Sequence, residues 1–510
     1  MSFEPAFGDF ARAYGAGQVQ VVWTRLTDDL ETPVSAFLKI AHGKPYSFLF
    51  ESVEGGAWRG RYSSVVMAPD LVWRCRGETA EIAQGEDIAQ GRFTPQAGGA
   101  LDSLRDLVAQ SRLDLPKGLP PMAAGVFGVI GYDMIRLAEK LPDINPDPLD
   151  LPDAVMMRPS IVAIFDGIEQ EIILVTTVRP SALDAEAAYK AATGRLADIV
   201  QALAKPLPPH GPHPEPDADQ FTSPVSREEY WAIVERAKEY IRAGDVFQVV
   251  PSHRLRAPFE HDPFALYRSL RRTNPSPFLF FLNYPDFQLV GSSPEILVRL
   301  RDGKITIRPI AGTRPRGATP EEDAALEADL RADPKEHAEH LMLLDLGRND
   351  VGRVAMLGQT GRNTPPQARQ GPRVRVTDSF FIERYANVMH LVSNVEGDAP
   401  EGLDPVDVLM AALPAGTLSG APKVRAMQII DELEIEKRGV GYAGAVGYFG
   451  ADGSVDTCIV LRTALFKDGM VYVQAGGGVV ADSDPDAEYQ ETLHKARAIR
   501  RAATEAWRFA

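Results

Sequence analysis

Short apolar runs bounded by turn residues recur through the second half of the chain and predict β-strands. Runs of this length, rich in Val, Ile, Leu and aromatic residues, suit strands that are at least half buried. Several of them follow one another between helical stretches instead of alternating with helices singly. That order favours an α+β fold over a doubly wound sheet. The predicted strands lie within 246–256, 277–284, 287–300, 304–314, 441–450, 454–466 and 470–480.

Helices are also predicted around these strands. The run 226–245 is amphipathic, and Ser226 and Glu229 form a capping box at its start. In such a box each side chain accepts a hydrogen bond from the backbone amide of the other residue. A second helix is predicted within 333–350, and a final helix begins after the Asp-Pro pair at 484–485.

The first 203 residues also mix strand-like and helical runs, and a proline-rich stretch separates them from the rest. Proline disfavours both helix interiors and central strands, so residues 204–224 are predicted to form a linker. The sequence therefore predicts an N-terminal domain at 1–203 and a C-terminal domain at 225–510.

The composition mainly argues against certain classes of protein. The net charge of −16 comes without a basic block, which argues against a nucleic-acid partner. The longest apolar stretches, such as 122–131, are too short for a membrane span, and the first residues lack the features of a secretory signal. Cys75 and Cys458 are the only cysteines, so a disulfide framework is not expected. We expect a cytoplasmic protein in which Cys458 is a small buried residue of a strand.

Two pairs of glutamates have helical spacing. Glu336 and Glu339 lie on the second predicted helix, and Glu488 and Glu491 lie on the final one. A spacing of three places both carboxylates of a pair on one helix face. Such pairs usually form a solvated face. Two such faces that meet in the fold would instead form an all-oxygen site for Mg²⁺.

The segment 413–439 is a glycine-rich loop followed by a helix predicted to end at Gly439. Ser419 is a candidate N-cap, and Pro422 is expected in the first turn. The start of such a helix presents free backbone amides to an anion. The alternative is that the glycines serve only a tight turn.

The glycines at 476–478 precede the final helix directly. They would let the backbone approach a ligand closely and form a nest of amides for a carboxylate. A bulged strand end is the alternative.

Three single residues are further candidates. Arg462 lies inside an apolar run, where it is either a salt-bridge partner or a clamp for a substrate. Glu295 follows a strand and a proline; it is either a general acid with a raised pKa or a capping or surface residue. His390 is flanked by apolar residues and is either a core histidine or a catalytic one. Together with Mg²⁺, these groups suit elimination chemistry on a small polyanion.

At these residues the sequence resembles the chorismate-utilising enzymes, and most closely the anthranilate synthase component I family. The resemblance extends through 224–505 and includes 51–64 near the N-terminus. It implies an α+β fold with sheets packed between helices and an N-terminal regulatory portion. The motifs that carry it are FQVVPS, NPSPF, GSSPE, RPIAGTRPRG, EHLMLLDLGRNDVGRV, VMHLVSNVEG, LPAGTLSGAPKVRAM, GYAGAVGYF, DTCIVLRTA, QAGGGVVADSDP and ETLHKARA.

The resemblance implies a Mg²⁺-dependent lyase that converts chorismate and ammonia to anthranilate and pyruvate. Glu339 and Glu491 would hold the metal, supported by Glu336 and Glu488. The remaining roles that it implies are catalysis for Glu295, His390 and Thr417, and substrate binding for Gly312, Thr313, Tyr442, Arg462, Gly476 and Gly478.

Two positions distinguish members of this family. Isochorismate- and salicylate-forming members carry a lysine where this chain has Gln248, and aminodeoxychorismate synthases carry a lysine where it has Ala311. Neutral residues at both positions favour ammonia as the nucleophile. Aminodeoxychorismate synthase is the nearest alternative enzyme, and a non-catalytic metabolite sensor is an alternative of another class.

The resemblance also implies a partner and an inhibitor. Neither cysteine has the setting of a glutaminase nucleophile, so a separate glutamine amidotransferase subunit, component II, is expected in a hetero-oligomer. Tryptophan is the expected feedback inhibitor. Its site would consist of Glu51, Ser52, Pro277, Phe278 and Leu279.

Overall fold

The computed structural model of the chain describes residues 2–27, 29–52, 60–207, 215, 220–357, 374–385 and 388–510. Most of the strands join into one continuous, curled antiparallel sheet with helices packed around it. The predicted α+β class is therefore confirmed.

The α-helices of the described residues range from single turns to more than twenty residues. They are α1 (Phe7–Gly15), α2 (Pro33–Ile40), α3 (Glu86–Ala89), α4 (Ala100–Gln110), α5 (Ala185–Leu203), α6 (Arg227–Arg242), α7 (Pro263–Thr273), α8 (Pro320–Ala332), α9 (Pro334–Leu357), α10 (Pro405–Ala412), α11 (Lys423–Leu433) and α12 (Pro485–Glu505).

Every apolar run that predicts a strand in the C-terminal half contains one. The strands are β1 (Gln20–Thr27), β2 (Ser47–Glu51), β3 (Tyr62–Arg76), β4 (Thr79–Gln84), β5 (Thr94–Pro95), β6 (Gly125–Ile130), β7 (Ala154–Asp166), β8 (Glu171–Val178), β9 (Gln248–Val249), β10 (Ser252–Pro258), β11 (Phe278–Asn283), β12 (Gln288–Ser293), β13 (Ile296–Arg301), β14 (Lys304–Ile307), β15 (Ile310–Pro315), β16 (Arg375–Arg384), β17 (Val388–Asp398), β18 (Gly420–Ala421), β19 (Ala445–Gly450), β20 (Val455–Ile459), β21 (Thr463–Lys467) and β22 (Met470–Gly476).

The sheet is shared between the two halves of the chain. Strand β2 pairs with β11, and β6 pairs with β19, both antiparallel. The division into domains at 204–224 stays a prediction, and most of that linker lies outside the described residues, as do 53–59 of the N-terminal motif. In space, strands from 1–203 and 225–510 form one surface, so the two segments stabilise each other through ordinary strand pairing.

The apolar residues form several cores around this sheet. One core packs α1, α2, α5, α7 and α12 against one part of it, and another packs α4, α9, α10 and α11 against a second part. A third core consists mainly of strand residues, such as Phe48, Phe127 and Phe280, where the sheet curls over itself. Helices α9 and α12, which carry the glutamate pairs, are thereby fixed against the sheet.

Several local predictions are confirmed. Ser226 and Glu229 form the reciprocal capping box of α6, and Asp484 caps α12, whose first residue is Pro485. Cys458 is buried in β20. In the described part of the chain, no helix is long and apolar enough to cross a membrane.

The predicted start of the helix after the glycine-rich loop is wrong. Helix α11 begins at Lys423, and Pro422 precedes it in an extended conformation. Ser419 does not cap the helix, because its Oγ donates to the carbonyl oxygen of Ala415 at 2.9 Å. The serine stabilises the turn instead of the helix.

The predicted end of this helix is also wrong. Helix α11 ends at Leu433 instead of near Gly439, because Glu434 adopts an extended conformation (φ −81°, ψ 149°). The carboxylate of Glu434 is held by partners outside the helix, which are described below. A helical conformation at this residue would withdraw that carboxylate from them.

His253 on β10 is predicted to make the stability of the folded chain depend on pH. Its Nδ1 lies 2.9 Å from Ser223 Oγ and its Nε2 lies 2.8 Å from Thr492 Oγ1 on α12. Burial lowers the pKa of His253 to about 4 from its usual value of 6.5. The unfolded chain therefore binds a proton at a higher pH than the folded chain.

We expect the stability contributed by His253 to be complete above pH 6.5 and to be lost as the pH falls toward 4. The unfolding free energy of wild type minus that of His253→Gln should shrink by about 1.4 kcal/mol per pH unit over this range. Urea titrations at several pH values measure it. His494→Gln, at an exposed position of α12, serves as the control and should keep the wild-type slope. A difference that does not change with pH would contradict the assignment.

Candidate active site

A cavity of about 690 Å³ lies between α9, α12 and the ends of several strands. It gathers side chains from segments that are far apart in the sequence. The predicted site residues that line it are Glu295, Gly312, Thr313, Glu339, His390, Thr417, Tyr442, Arg462, Gly476, Gly478, Glu488 and Glu491.

Glu295 occupies the corner between β12 and β13 and is almost completely buried. Thr417 Oγ1 lies 3.4 Å and 3.5 Å from its two carboxylate oxygens. Burial raises the pKa of Glu295 to about 8, although Thr417 and the charge of Arg462 act in the opposite direction. Glu295 is therefore protonated at neutral pH and suited to donate a proton.

His390 lies on β17 in the neutral form. Its Nδ1 is 3.1 Å from the carbonyl oxygen of Gly312 and 3.0 Å from Thr313 Oγ1. Burial, assisted by the charge of Arg462, lowers the pKa of His390 to about 4. Because a carbonyl oxygen only accepts, Nδ1 carries the proton and Nε2 is a base. Nε2 is buried and has no hydrogen-bond partner among the described residues.

Arg462 lies in the turn between β20 and β21 with a positive φ of 48°, which is uncommon for a residue with a side chain. Burial lowers the pKa of this guanidinium, opposed by the charges of Glu295 and Tyr385. Within the described ranges it forms no ion pair, so the salt-bridge alternative is not supported. The guanidinium is available to an anion in the cavity.

The glycines at the end of β22 are required by close packing. A Cβ on Gly476 would lie 2.6 Å from the carbonyl oxygen of Pro251 and 3.0 Å from the hydroxyl of Tyr442. A Cβ on Gly478 would lie 2.5 Å from Nε2 of Gln248. These positions bring bare backbone to the cavity wall. Gln248 also lines the cavity, and its Oε1 is a buried acceptor without a partner in the described residues.

Carboxylates from α9 and α12 face each other across the cavity. The pKa of Glu339 is raised by burial and then by the charges of Glu336 and Glu491. The pKa of Glu488 is likewise raised by burial and by Glu491, although Ser483 donates to it at 2.7 Å. Burial is the largest cause of both shifts, and the neighbouring carboxylates add to it.

Lys495 and Arg314 partly balance the negative charge of these glutamates. Lys495 Nζ lies 2.6 Å from Glu491 Oε1 and donates to the carbonyl oxygen of Gly476 at 2.9 Å. Glu336 does not line the cavity; its Oε1 lies 3.4 Å from Arg314 Nη1. The predicted set of four glutamates is thus divided between three residues on the cavity wall and one residue behind it.

The donor chemistry of this wall fits Mg²⁺. Mg²⁺ binds oxygen ligands, usually with one or two carboxylates and several waters. Glu488 Oε2 is buried and has no partner among the described residues, as a free ligand oxygen would be. Among the described residues, no group of three His, Cys, Asp or Glu side chains is arranged to hold a metal ion. A Mg²⁺ ion at this wall would therefore need water and substrate to complete its ligands.

A buried ion pair supports the floor of the cavity. Glu434 accepts from the amide of Ser252 at 2.8 Å and from Arg438 Nη2 at 2.6 Å. The guanidinium of Arg438 also donates to the carbonyl oxygens of Leu418 at 2.6 Å and Val250 at 2.7 Å. The pair thereby joins three segments that meet under the cavity.

Comparison with known proteins decides the family. A profile described as "chorismate binding enzyme" matches residues 62–501. The anthranilate synthase component 1 of Cereibacter sphaeroides is 57% identical over 507 residues, which cover 99% of this chain and 98% of that protein. The chain belongs to the family of chorismate-binding enzymes. Its resemblance to anthranilate synthase component I is confirmed.

Further relatives agree with this placement in the chorismate-binding family. The anthranilate synthase component 1 of Pseudomonas putida is 47% identical over 93% of each chain. The crystal structure of anthranilate synthase component I from Streptococcus pneumoniae, 35% identical, superposes with a TM-score of 0.74 and covers 93% of this chain and 98% of its own. The menaquinone-specific isochorismate synthase of Escherichia coli, at 20% identity, shares the fold with a TM-score of 0.68 over 98% of this chain and 99% of its own.

The structure of this chorismate-binding protein adds cavity residues that the sequence analysis missed. Lys335, Gln474, Asp482 and Lys495 also line the cavity. Lys495 could have been found, because it lies four residues after Glu491 on one helix face and is spaced for an ion pair. Gln474 gives no comparable signal, since its partners Ser252 and Arg254 come from the neighbouring strand β10.

A second cavity, of about 140 Å³, lies where β2, β11 and β19 meet. Pro277, Phe278 and Ser52 line it. Its wall also includes Glu51 and Leu279, the other two residues predicted to bind an inhibitor. The Glu51 carboxylate is held by Arg271, whose Nε lies 2.8 Å away, and by the hydroxyl of Tyr267. The structure thus brings all five predicted inhibitor residues to one cavity.

The raised pKa of Glu295 has a measurable effect on stability. A carboxyl group whose folded pKa is about 8, against a usual value of 4.5, favours the folded state below pH 4.5. This contribution is lost as the pH rises toward 8. Glu295→Gln cannot ionise, so the variant should gain stability relative to wild type by about 1.4 kcal/mol per pH unit between these values. Urea unfolding at pH 5, 6, 7 and 8 measures the difference, and a constant difference would contradict a protonated Glu295.

Proposed function

We propose that this chain is the large subunit of an anthranilate synthase. It converts chorismate and ammonia to anthranilate and pyruvate, the first step of tryptophan biosynthesis. The observation that carries the proposal is one cavity that holds a protonated Glu295, a neutral His390 and an Arg462 with no ion pair in the described part of the chain. The relatives named anthranilate synthase component 1 support it over nearly the whole chain.

The substrate is a cyclohexadiene dicarboxylate. In the proposed complex the guanidinium of Arg462, the hydroxyl of Tyr442 and the backbone at Gly476 and Gly478 hold the enolpyruvyl carboxylate. Arginine and backbone amides suit this group because both donate in directions that match a carboxylate. The turn at 312–313 also lines the cavity and would contact the ring, and its glycine has a φ of 60°.

The ring carboxylate is assigned to the metal. Glu339 and Glu491 would hold Mg²⁺, with Glu488 as a direct or water-mediated supporter. Glu336, which lies behind the cavity wall, would act through water. The ion would neutralise the ring carboxylate and fix its position. Lys495, which contacts Glu491 in the structure, lies at the same end of the cavity and adds positive charge near this carboxylate.

Glu295 is the proposed general acid of the amination step. Ammonia forms the C2–N bond as the ring double bonds shift and the C4–O bond breaks. Glu295 transfers its proton to the departing hydroxyl, which leaves as water, and Thr417 orients the carboxyl group. The product of this step is amino-deoxy-isochorismate.

His390 is the proposed base of the elimination step. Its unprotonated Nε2 takes the proton from C2, and the electron pair of that C–H bond moves into the ring, which becomes aromatic. The bond from the ring to the enolpyruvyl oxygen breaks, and pyruvate leaves after it gains a proton. Gly312 and Thr313 hold Nδ1 and thereby keep Nε2 directed as the acceptor.

We infer the nucleophile from two positions that carry neutral residues. Gln248 and Ala311 line the cavity where other members of the family carry lysines, so no side chain there activates water or attacks the ring. We therefore assign ammonia as the nucleophile. It would come from a separate glutamine amidotransferase subunit, component II, in a hetero-oligomer. The cytoplasm is the proposed compartment.

Variants of the acid and the base should separate the two steps. Glu295→Gln should lose about 10² to 10⁴ in kcat for consumption of chorismate, because the departing hydroxyl lacks a proton donor. His390→Gln should still consume chorismate and should accumulate the aminated compound that keeps its enolpyruvyl group. Mass analysis of the products measures both. Equal and complete loss of chorismate consumption in both variants would contradict the separate roles.

Tryptophan is the proposed occupant of the second cavity. Its amino group and its ring would lie against Glu51, Ser52 and the 277–279 segment. In Ser52→Phe the added ring would fill much of the 140 Å³, so inhibition by tryptophan should be lost. Titration of the ammonia-dependent activity with tryptophan measures it. Unchanged inhibition in this variant would show that tryptophan binds elsewhere or not at all.

A further inference from the structure

The two cavities are separated by a small cluster of buried hydroxyl groups. Ser276, Ser292 and Ser293 are each almost fully buried. Ser276 precedes β11, and the other two residues end β12. In the register of these strands, Phe278 lies opposite Ser293 and Leu279 lies opposite Ser292. The cluster is therefore in direct backbone contact with residues that line the second cavity.

The hydroxyl groups of Ser276 and Ser292 are linked to each other, and Ser276 also binds the backbone of Ser293. Ser292 Oγ lies 2.8 Å from Ser276 Oγ and 2.5 Å from the carbonyl oxygen of Asn274. Ser276 Oγ donates to the carbonyl oxygen of Ser293 at 3.0 Å. These bonds lie in the interior, where hydrogen bonds are strong and a lost partner is costly. The segment before β11 and the end of β12 are consequently held at a fixed separation.

The other side of the cluster contacts the catalytic groups. Ser293 Oγ lies 3.4 Å from both the amide nitrogen and the carbonyl oxygen of Glu295. The amide of Ser292 donates to the carbonyl oxygen of Arg462 at 3.2 Å. The cluster thus contacts the backbone of the proposed acid and of the proposed carboxylate clamp.

Strand β20 provides a second contact in the same place. Cys458 on this strand lines the second cavity. The amide of the next residue, Ile459, donates to the carbonyl oxygen of Glu295 at 3.0 Å. A displacement of the cavity wall at Cys458 would therefore move the backbone of Glu295 through β20, and a displacement at Phe278 would move it through the serine cluster.

We propose that Ser276, Ser292 and Ser293 are positioning residues that couple occupancy of the second cavity to the placement of Glu295 and Arg462. A molecule bound between Phe278 and Cys458 moves the wall to which the cluster is bonded. The cluster transfers this movement to both groups that bind and protonate the substrate. This proposal rests on the proposed function and adds the residues through which tryptophan would act.

Coupling between two sites is reciprocal, so it can be measured from either ligand. Calorimetry on the purified chain gives the dissociation constant of tryptophan with and without saturating chorismate, with Mg²⁺ present and ammonia withheld to prevent turnover. In wild type, chorismate should weaken tryptophan binding by at least about fivefold. In Ser276→Ala and Ser292→Ala this ratio should fall to near one, while each ligand alone still binds.

Ser269→Ala is the matched control. Ser269 is a fully buried serine of α7 whose Oγ has no hydrogen-bond partner among the described residues. Its removal should leave the ratio at the wild-type value. An equal fall in this control would show that the ratio reports general packing, and would overturn the proposal.

The proposal is also overturned if both cluster variants bind tryptophan with the wild-type ratio. The two variants lie on different segments, so a folding defect in one leaves the other as the test. If wild type binds no tryptophan, the regulatory part of the proposed function and this inference fail together. Formation of anthranilate by the same preparation would then show that the catalytic part of the proposed function is correct without the regulatory part.

Discussion

The buried Glu434–Arg438 ion pair is the interaction on which the cavity depends most. The two side chains are almost completely removed from water, so they are costly to bury and must be fully hydrogen bonded. Arg438 satisfies this requirement by donating to the carbonyl oxygens of Leu418 and Val250. Glu434 satisfies it through the amide and hydroxyl of Ser252. Any displacement of these segments would leave a buried charge without a partner.

This constraint explains the local structure around the cavity. Helix α11 ends at Leu433 because the next residue gives its carboxylate to the pair. The glycine-rich loop is held at Leu418, one residue after Thr417, which contacts Glu295. The Arg438 guanidinium also lies 5.2 Å from the ring centre of Tyr442, a contact that favours the cation. A second buried pair, Lys423 and Asp350 at 2.9 Å, connects α11 to α9 and its glutamates.

The environments of Glu295 and His390 give these two titratable groups opposite roles. Burial raises the pKa of Glu295 and lowers that of His390, so each group is neutral near pH 7. A neutral carboxylic acid donates a proton and a neutral imidazole accepts one, which gives an acid and a base without any change of pH. Arg462 lowers both pKa values through its charge and keeps the cavity suited to an anionic substrate.

The sequence predicts more of this site than it does of the support beneath it. Strand runs, the α+β class and the two glutamate helices follow from local patterns, and the motif resemblance adds the residues of the cavity wall. Glu434 and Arg438 have the four-residue spacing of an ion pair, but the pair was missed, and its further partner Ser252 is 182 residues away from Glu434, where no local pattern connects the two. The helix end at Gly439 was wrong because long-range hydrogen bonds of Glu434 override local propensity there. The Ser419 cap was wrong for a local reason, since its hydroxyl donates to the carbonyl oxygen of Ala415.

The central claim is the reaction itself, and product identification tests it most directly. The purified chain should be incubated with chorismate, Mg²⁺ and ammonium, and the products should be identified by mass and by the fluorescence of anthranilate. We expect anthranilate and pyruvate in equal amounts, lost on chelation of the metal and in Glu491→Ala, and no product when glutamine replaces ammonium. Release of isochorismate or of an aminated compound as the final product, or no consumption of chorismate, would contradict the account.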